Sequence, residues 1–192
     1  MSDPASFIDG LDPKVIHTLT AHSPPRSNLL WVHNVLKRNK VKDAIEVGTA
    51  KGHSGLFIGS GISGRLFTVD IRPENLTYAT KIHRQFGLSN VRYVMGDSLS
   101  VLPLLCEKMD EGLHFVYLDG RHTYRYVMKE YYIVRRFINP DKGMILFDDA
   151  NLVYAKDPEP EGMPKAMREI GAEIHPQYPR LGYIRFGDFV LE

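Results

Sequence analysis

The chain has 192 residues, 43% of them hydrophobic, and its 24 Lys plus Arg stand against 23 Asp plus Glu for a formal net charge of +1. That length suffices for one domain, 1–192, with a full apolar core. A charge so close to zero gives no electrostatic case for nucleic acid or an anionic membrane surface as a partner. No window reaches the length of a transmembrane helix, and residues 1–10 lack the basic and apolar regions of a signal peptide. The single cysteine, Cys106, lies among Leu102, Leu104, Leu105 and Met109. This predicts a packed thiol in a reducing, cytoplasmic setting.

Residues 11–21 and 27–39 read as two helices separated by the Ser23-Pro24-Pro25 break. These N-terminal helices, within 1–40, are expected to cover the sheet or to form a homodimer interface. From there, apolar runs of strand length alternate with stretches at helical spacing. The runs are 44–47, 66–69, 91–95, 115–118 and 144–147, each flat in pattern, as befits strands covered on both faces. Helices are predicted at 53–60, 73–86, 98–108 and 123–137, with Pro73 in a first turn and Ser98 as a cap. Repeated β-then-α units predict an α/β fold with an open, mostly parallel sheet. After Phe147 the pattern changes: a polar, proline-rich loop spans 150–163, and a short helix follows at 164–170. Strand character near Ile174 and from Tyr183 to Leu191, with no helix between, predicts an antiparallel pair.

The most informative segment is Glu46-Val-Gly48-Thr49-Ala-Lys-Gly52-His-Ser54. A β-type run ends in an acid, and two glycines then let the backbone approach a ligand just before a helix N-terminus. The spacing E-x-G-x-x-x-G is one residue longer between glycines than a pyrophosphate loop. A carboxylate there repels pyrophosphate and suits an ammonium or sulfonium, which points to S-adenosylmethionine rather than NAD. Every later strand also ends in an acid: Asp70, Asp97 with Ser98, Asp119, and Asp148 with Asp149. In open α/β sheets ligands bind outside those strand ends. Asp70 stands where such folds present an acceptor pair to ribose hydroxyls. Asp97 and Ser98 read equally as a helix cap or an adenine contact. Asp119, Asp148 and Asp149 are oxygen donors without a paired Cys or His, which favours a hard ion, Mg2+. A metal held this way leaves positions for two adjacent substrate oxygens, so the expected acceptor is a vicinal diol, a catechol or a hydroxy-carbonyl compound.

With these motifs in place, the chain resembles class I S-adenosylmethionine-dependent methyltransferases. The resemblance is narrower toward the metal-dependent small-molecule O-methyltransferases of the catechol, sugar and macrolide types. It rests on residues 46–54, on Leu118-Asp-Gly-Arg-His-Thr-Tyr124 and on Gly143-Met-Ile-Leu-Phe-Asp-Asp149. It implies a Rossmann-like seven-stranded sheet with an antiparallel strand near the C-terminus. Glu46 and Gly48 would line the methionine part of the cofactor, and Ser54 would receive its carboxylate. Asp70 would hold the ribose and Ser98 would lie near the adenine, with Thr49, Gly52, Asp97 and Asp119 completing the cofactor set. Asp119, Asp148 and Asp149 would match the metal ligands. Two positions depart from the pattern: Arg121 stands where relatives often carry a second acid, and His122 where catechol-type enzymes carry a lysine base. His122 is therefore assigned as general base, with Asp119 and Arg121 in the catalytic set. Arg121 would recognise an acidic substrate group or pair with Asp149. Trp31, Tyr154 and Met163 are candidate substrate-wall residues. Two other readings stay open: metal-independent transfer to nitrogen or carboxylate, and an inactive cofactor-binding module.

Overall fold

The computed structural model describes residues 3–21, 23–109, 112–153 and 161–192. Two compact units make up the chain, Met1–Gly96 with Val190–Glu192, and Asp97–Phe189. Tyr154 and half of the proline-rich loop, residues 154–160, lie outside the described residues.

The first unit holds α1 (Pro4–Asp9), α2 (Pro13–Thr20), α3 (Arg26–Arg38), β1 (Ala44–Val47), α4 (His53–Gly61), β2 (Leu66–Asp70), α5 (Pro73–Phe86) and β3 (Val91–Met95). Helix α1 was not anticipated from the sequence. A local device starts it: the Asp3 carboxylate accepts the Ser6 N–H at 2.8 Å and satisfies one donor of the first turn. Strands run parallel in the order β3-β2-β1, with Glu46 opposite Thr68 and Val47 opposite Val69. All four β1 residues are buried, including Glu46. Helix α5 starts with Pro73 in its first turn and stops at Gly87, whose φ of 88° supplies a left-handed cap.

The second unit holds α6 (Ser98–Cys106), β4 (Phe115–Leu118), α7 (Tyr124–Arg135), β5 (Lys142–Phe147), α8 (Gly162–Ile170), β6 (Glu173–Ile174) and β7 (Gly182–Gly187). Here the order is β4-β5-β7-β6. Strand β4 is parallel to β5, while β7 runs antiparallel to both β5 and β6. The reversal follows from connection length, because only a short turn joins β6 to β7. Strand β4 is buried throughout, as is β5 beyond Lys142, which accounts for their unbroken apolar runs. The seven strands, mostly parallel with one antiparallel member, give the Rossmann-like α/β class expected from the sequence. Cys106 is a buried free thiol, and burial pushes it up to about 12. Among the described residues no helix is long and apolar enough to cross a membrane.

Phe147 closes β5, is fully buried and immediately precedes Asp148. Phe147→Ala is expected to cost about 3–5 kcal/mol through the lost apolar contact and the cavity it leaves. Urea denaturation monitored by circular dichroism checks this, and a loss below about 1 kcal/mol would contradict the packing described.

Candidate active site

The glycine loop of the first unit is built from strained backbone pinned by hydrogen bonds. Gly48, Ala50 and Gly52 all have positive φ, at 96°, 43° and 84°. Only Ala50 bears a side chain in that region, where L residues are rarely stable without outside support. Asp70 at the end of β2 supplies it: Oδ2 accepts the Ala50 N–H at 2.9 Å, and Oδ1 accepts the Arg72 N–H at 2.8 Å. Asn75 donates to Oδ2 at 3.0 Å. The ends of β1 and β2 are thus joined through one half-buried carboxylate.

Glu46 lies beneath this loop and is fully buried. Ser54 and Thr68 donate to its two oxygens, each at 2.5 Å, and Thr68 shares a further hydrogen bond with Thr49 at 2.6 Å. Burial pushes the Glu46 carboxyl up to about 7, with the two hydroxyls opposing. The structure therefore places Glu46, Thr49 and Ser54 in one buried polar knot under Gly48 and Gly52. His53, in the first turn of α4, is buried with neither ring nitrogen hydrogen-bonded, and burial brings it down to about 4.

Sequence reading missed His83 and Tyr93. His83 on α5 bonds the Gly52 carbonyl through Nε2 at 2.8 Å and the Tyr93 hydroxyl through Nδ1 at 2.8 Å. A carbonyl can only accept, so Nε2 carries the proton and Tyr93 donates to Nδ1. A Cβ on Gly52 would lie 2.8 Å from both His83 Nε2 and Ala79 Cβ. That close approach, as much as the positive φ, requires glycine here. A histidine inside an amphipathic helix gives no sequence signal of such a partner.

In the second unit the acids divide into two groups. Asp97 caps α6 by accepting the Leu99 N–H at 2.9 Å, and its other oxygen accepts the Tyr126 hydroxyl at 2.7 Å. Ser98 donates to Glu130, a buried acid on α7 that desolvation raises to about 7. The cap and the buried contact are visible for this pair. Arg121 is exposed, with its guanidinium 4.7 Å from the centre of the Tyr126 ring.

Asp119, His122, Asp148 and Asp149 gather at the ends of β4 and β5. His122 Nε2 lies 3.6 Å from Asp149 Oδ2 and 3.9 Å from Asp119 Oδ1. These three side chains offer ligand atoms within 4.8 Å of one another. Asp148 is apart from that group. It is fully buried, and both its oxygens accept from Arg180, at 3.1 and 3.0 Å from Nε and 2.7 Å from Nη2. The cation paired with Asp149 is also Arg180 rather than Arg121: Nε lies 2.6 Å from Asp149 Oδ1, an ion pair without hydrogen-bond alignment. Asp149 is held at φ 56°, an unusual conformation for a residue with a side chain. Desolvation raises Asp148 to about 6 against the pull of Arg180, and raises Asp149 in the same sense. Trp31 is half-buried and Met163 buried.

This architecture is shared with known enzymes. The fold matches a Bacillus cereus O-methyltransferase in complex with SAH, with a TM-score of 0.74 and 15% identity over 96% of this chain and 92% of that one. It also matches a Streptomyces achromogenes O-methyltransferase involved in tomaymycin synthesis, in complex with SAM, with a TM-score of 0.72 and 14% identity over 96% of both chains. At such identity the likeness shows the fold alone. Residues 45–150, more than half of the chain, match the family described as methyltransferase domain, and the chain belongs to that family. A candidate O-methyltransferase from Mycobacterium sp. (strain JLS) is 37% identical over 92 residues, which cover 45% of this chain and 40% of that protein.

The raised carboxyl of Glu46 sets a pH dependence. The folded state keeps a proton that the unfolded chain loses above its model value of 4.5. The resulting stabilisation is complete below that value and is lost as pH rises to about 7. Glu46→Gln cannot titrate, so its stability relative to the wild type is expected to improve between about pH 5 and about pH 8. Paired urea denaturation curves at the two pH values measure this, and a difference independent of pH would refute it.

Proposed function

We propose that the chain catalyses S-adenosylmethionine-dependent O-methylation of a small-molecule hydroxyl, with His122 as general base. The observation that carries this reading is His122 Nε2, half-buried and flanked by Asp149 and Asp119 at 3.6 and 3.9 Å. The names of the relatives and structural neighbours, and the SAH and SAM bound in two of the latter, support it.

When bound, S-adenosylmethionine supplies an electrophilic methyl group on a sulfonium. The residues of the first unit fit it. Gly48 leaves bare backbone along the loop, Gly52 lets the loop pack against His83 and Ala79, and the first turn of α4 offers N–H groups to a carboxylate. Asp70, fixed by two backbone N–H groups, keeps a half-buried pair of acceptor oxygens suited to vicinal hydroxyls. Glu46, Thr49 and Ser54 hold the loop from below, and Asp97 and Ser98 are assigned to the adenosine end. In the second unit, Asp119 and Asp149 orient the His122 ring. Its imidazole accepts the hydroxyl proton, and the two carboxylates stabilise the imidazolium that results. Alignment of nucleophile and methyl carbon supplies much of the remaining rate, since positioning alone is worth ~7–11 kcal/mol.

The Mg2+ site expected from the sequence does not fit these residues. Of its three ligands, Asp148 is enclosed and bound by Arg180, and Asp149 shares that guanidinium. The donor closest to the other two carboxylates is a His nitrogen, which a hard ion takes poorly. The expectation of a chelating diol or catechol acceptor rested on that ion. The site as built supports a hydroxyl within reach of His122.

Calorimetric titration with S-adenosylhomocysteine and transfer of labelled methyl to a panel of hydroxylated metabolites test the reading. His122→Asn is expected to lower kcat by roughly 10²–10⁴ with affinity for S-adenosylhomocysteine kept. Asp70→Asn is expected to weaken that affinity roughly tenfold or more. Absence of S-adenosylhomocysteine binding to the wild type would sink the proposal.

A further inference from the structure

We infer that Arg180 is the resident cation of the Asp119–Asp148–Asp149 centre, held in the place a divalent ion would take, and that the centre works without a metal. The inference concerns the site assigned above and rests on that reading for its catalytic meaning, while the chemistry of the cation stands by itself.

Three features carry it. First, the charges acting on Arg180 are Asp148, Asp149 and Asp119, the same three carboxylates expected to ligate a metal. A guanidinium is planar and presents five donors, so it can answer several oxygens at once. Here Nε and Nη2 together reach both oxygens of Asp148, and Nε also lies 2.6 Å from Asp149 Oδ1. Second, Asp148 is fully buried. A carboxylate so enclosed stays ionised only with a partner, and both of its oxygens already accept from Arg180.

Third, the turn that carries Arg180 is itself built. His175 Nδ1 accepts the Gln177 and Tyr178 N–H groups at 3.2 and 3.1 Å. The Leu181 N–H reaches the Tyr178 carbonyl at 2.8 Å, and the His175 N–H reaches the Leu181 carbonyl at 2.9 Å. The Arg180 carbonyl then accepts the Ala150 N–H at 2.8 Å, one residue beyond Asp149. Main chain and side chain of Arg180 therefore both grip the end of β5. An arginine that had merely swung onto a vacant acid would need no such support.

The consequence is a division of labour among the acids. Asp148 neutralises and seats Arg180. Asp149 lies between that guanidinium and His122, with one oxygen toward each. Asp119 flanks His122 from β4. A second cation placed between Asp119 and Asp149 would face both the guanidinium and the imidazole. The group Asp119, His122 and Asp149 is where an ion would have to bind if this inference is wrong.

Protein dialysed against EDTA and titrated with Mn2+, with free Mn2+ read by electron paramagnetic resonance, tests this without a methyl acceptor. The wild type is expected to leave the free signal unchanged up to millimolar metal. Arg180→Met, shown to be folded by circular dichroism, is expected to bind Mn2+ at least tenfold more tightly than the wild type. If that variant does not fold, Arg180→Gln carries the same comparison. Binding of one Mn2+ per wild-type chain, reversed by EDTA, would overturn the inference, as would equal Mn2+ binding by wild type and variant. Because S-adenosylhomocysteine binding is measured separately, failure of the metal inference and failure of the methyltransferase reading give different results.

Discussion

A carboxylate taken out of water must be met by donors or by a cation, and that requirement shapes the candidate site. Four acids, Glu46, Glu130, Asp148 and Asp149, are removed from solvent, and the first three show how differently the requirement is met. Glu46 receives hydroxyls from Ser54 and Thr68. Glu130 receives the Ser98 hydroxyl. Asp148 receives a guanidinium. Where only hydroxyls answer, burial pushes the acid toward neutrality, to about 7 for both Glu46 and Glu130. Where Arg180 answers, the carboxyl is pulled back toward ionisation.

The same requirement separates acids that support the site from acids left to act in it. Glu46 and Asp148 are fully buried with both oxygens engaged, so each fixes the residues around it. Asp70 and Asp119 keep partly exposed side chains at the ends of β2 and β4. Asp70 steadies a loop in which Ala50 adopts a conformation costly for a residue with a Cβ. The strain is local, and the Asp70 carboxylate relieves it.

Much of this was legible in the sequence because it is local. Flat apolar runs and helical periodicity located five of the seven strands almost residue for residue, and connection length foretold the antiparallel β7. The glycines at 48 and 52 marked the loop because few other residues tolerate those φ values. Other parts were hidden by distance along the chain. His83 lies 31 residues from Gly52, and Arg180 lies 32 from Asp148. Neither sits in a motif, and an arginine in a short turn is most often a solvated surface residue.

The sequence by itself determined the order of strands and helices after α1, the glycine loop and the acid at each strand end. Those follow from backbone sterics, burial period and turn chemistry, all of which act between near neighbours. Only the tertiary structure decided which acids are buried, which partner each acquires and which cation serves Asp148. Desolvation and ion pairing depend on what folds against a side chain, and spacing along the chain carries no record of that.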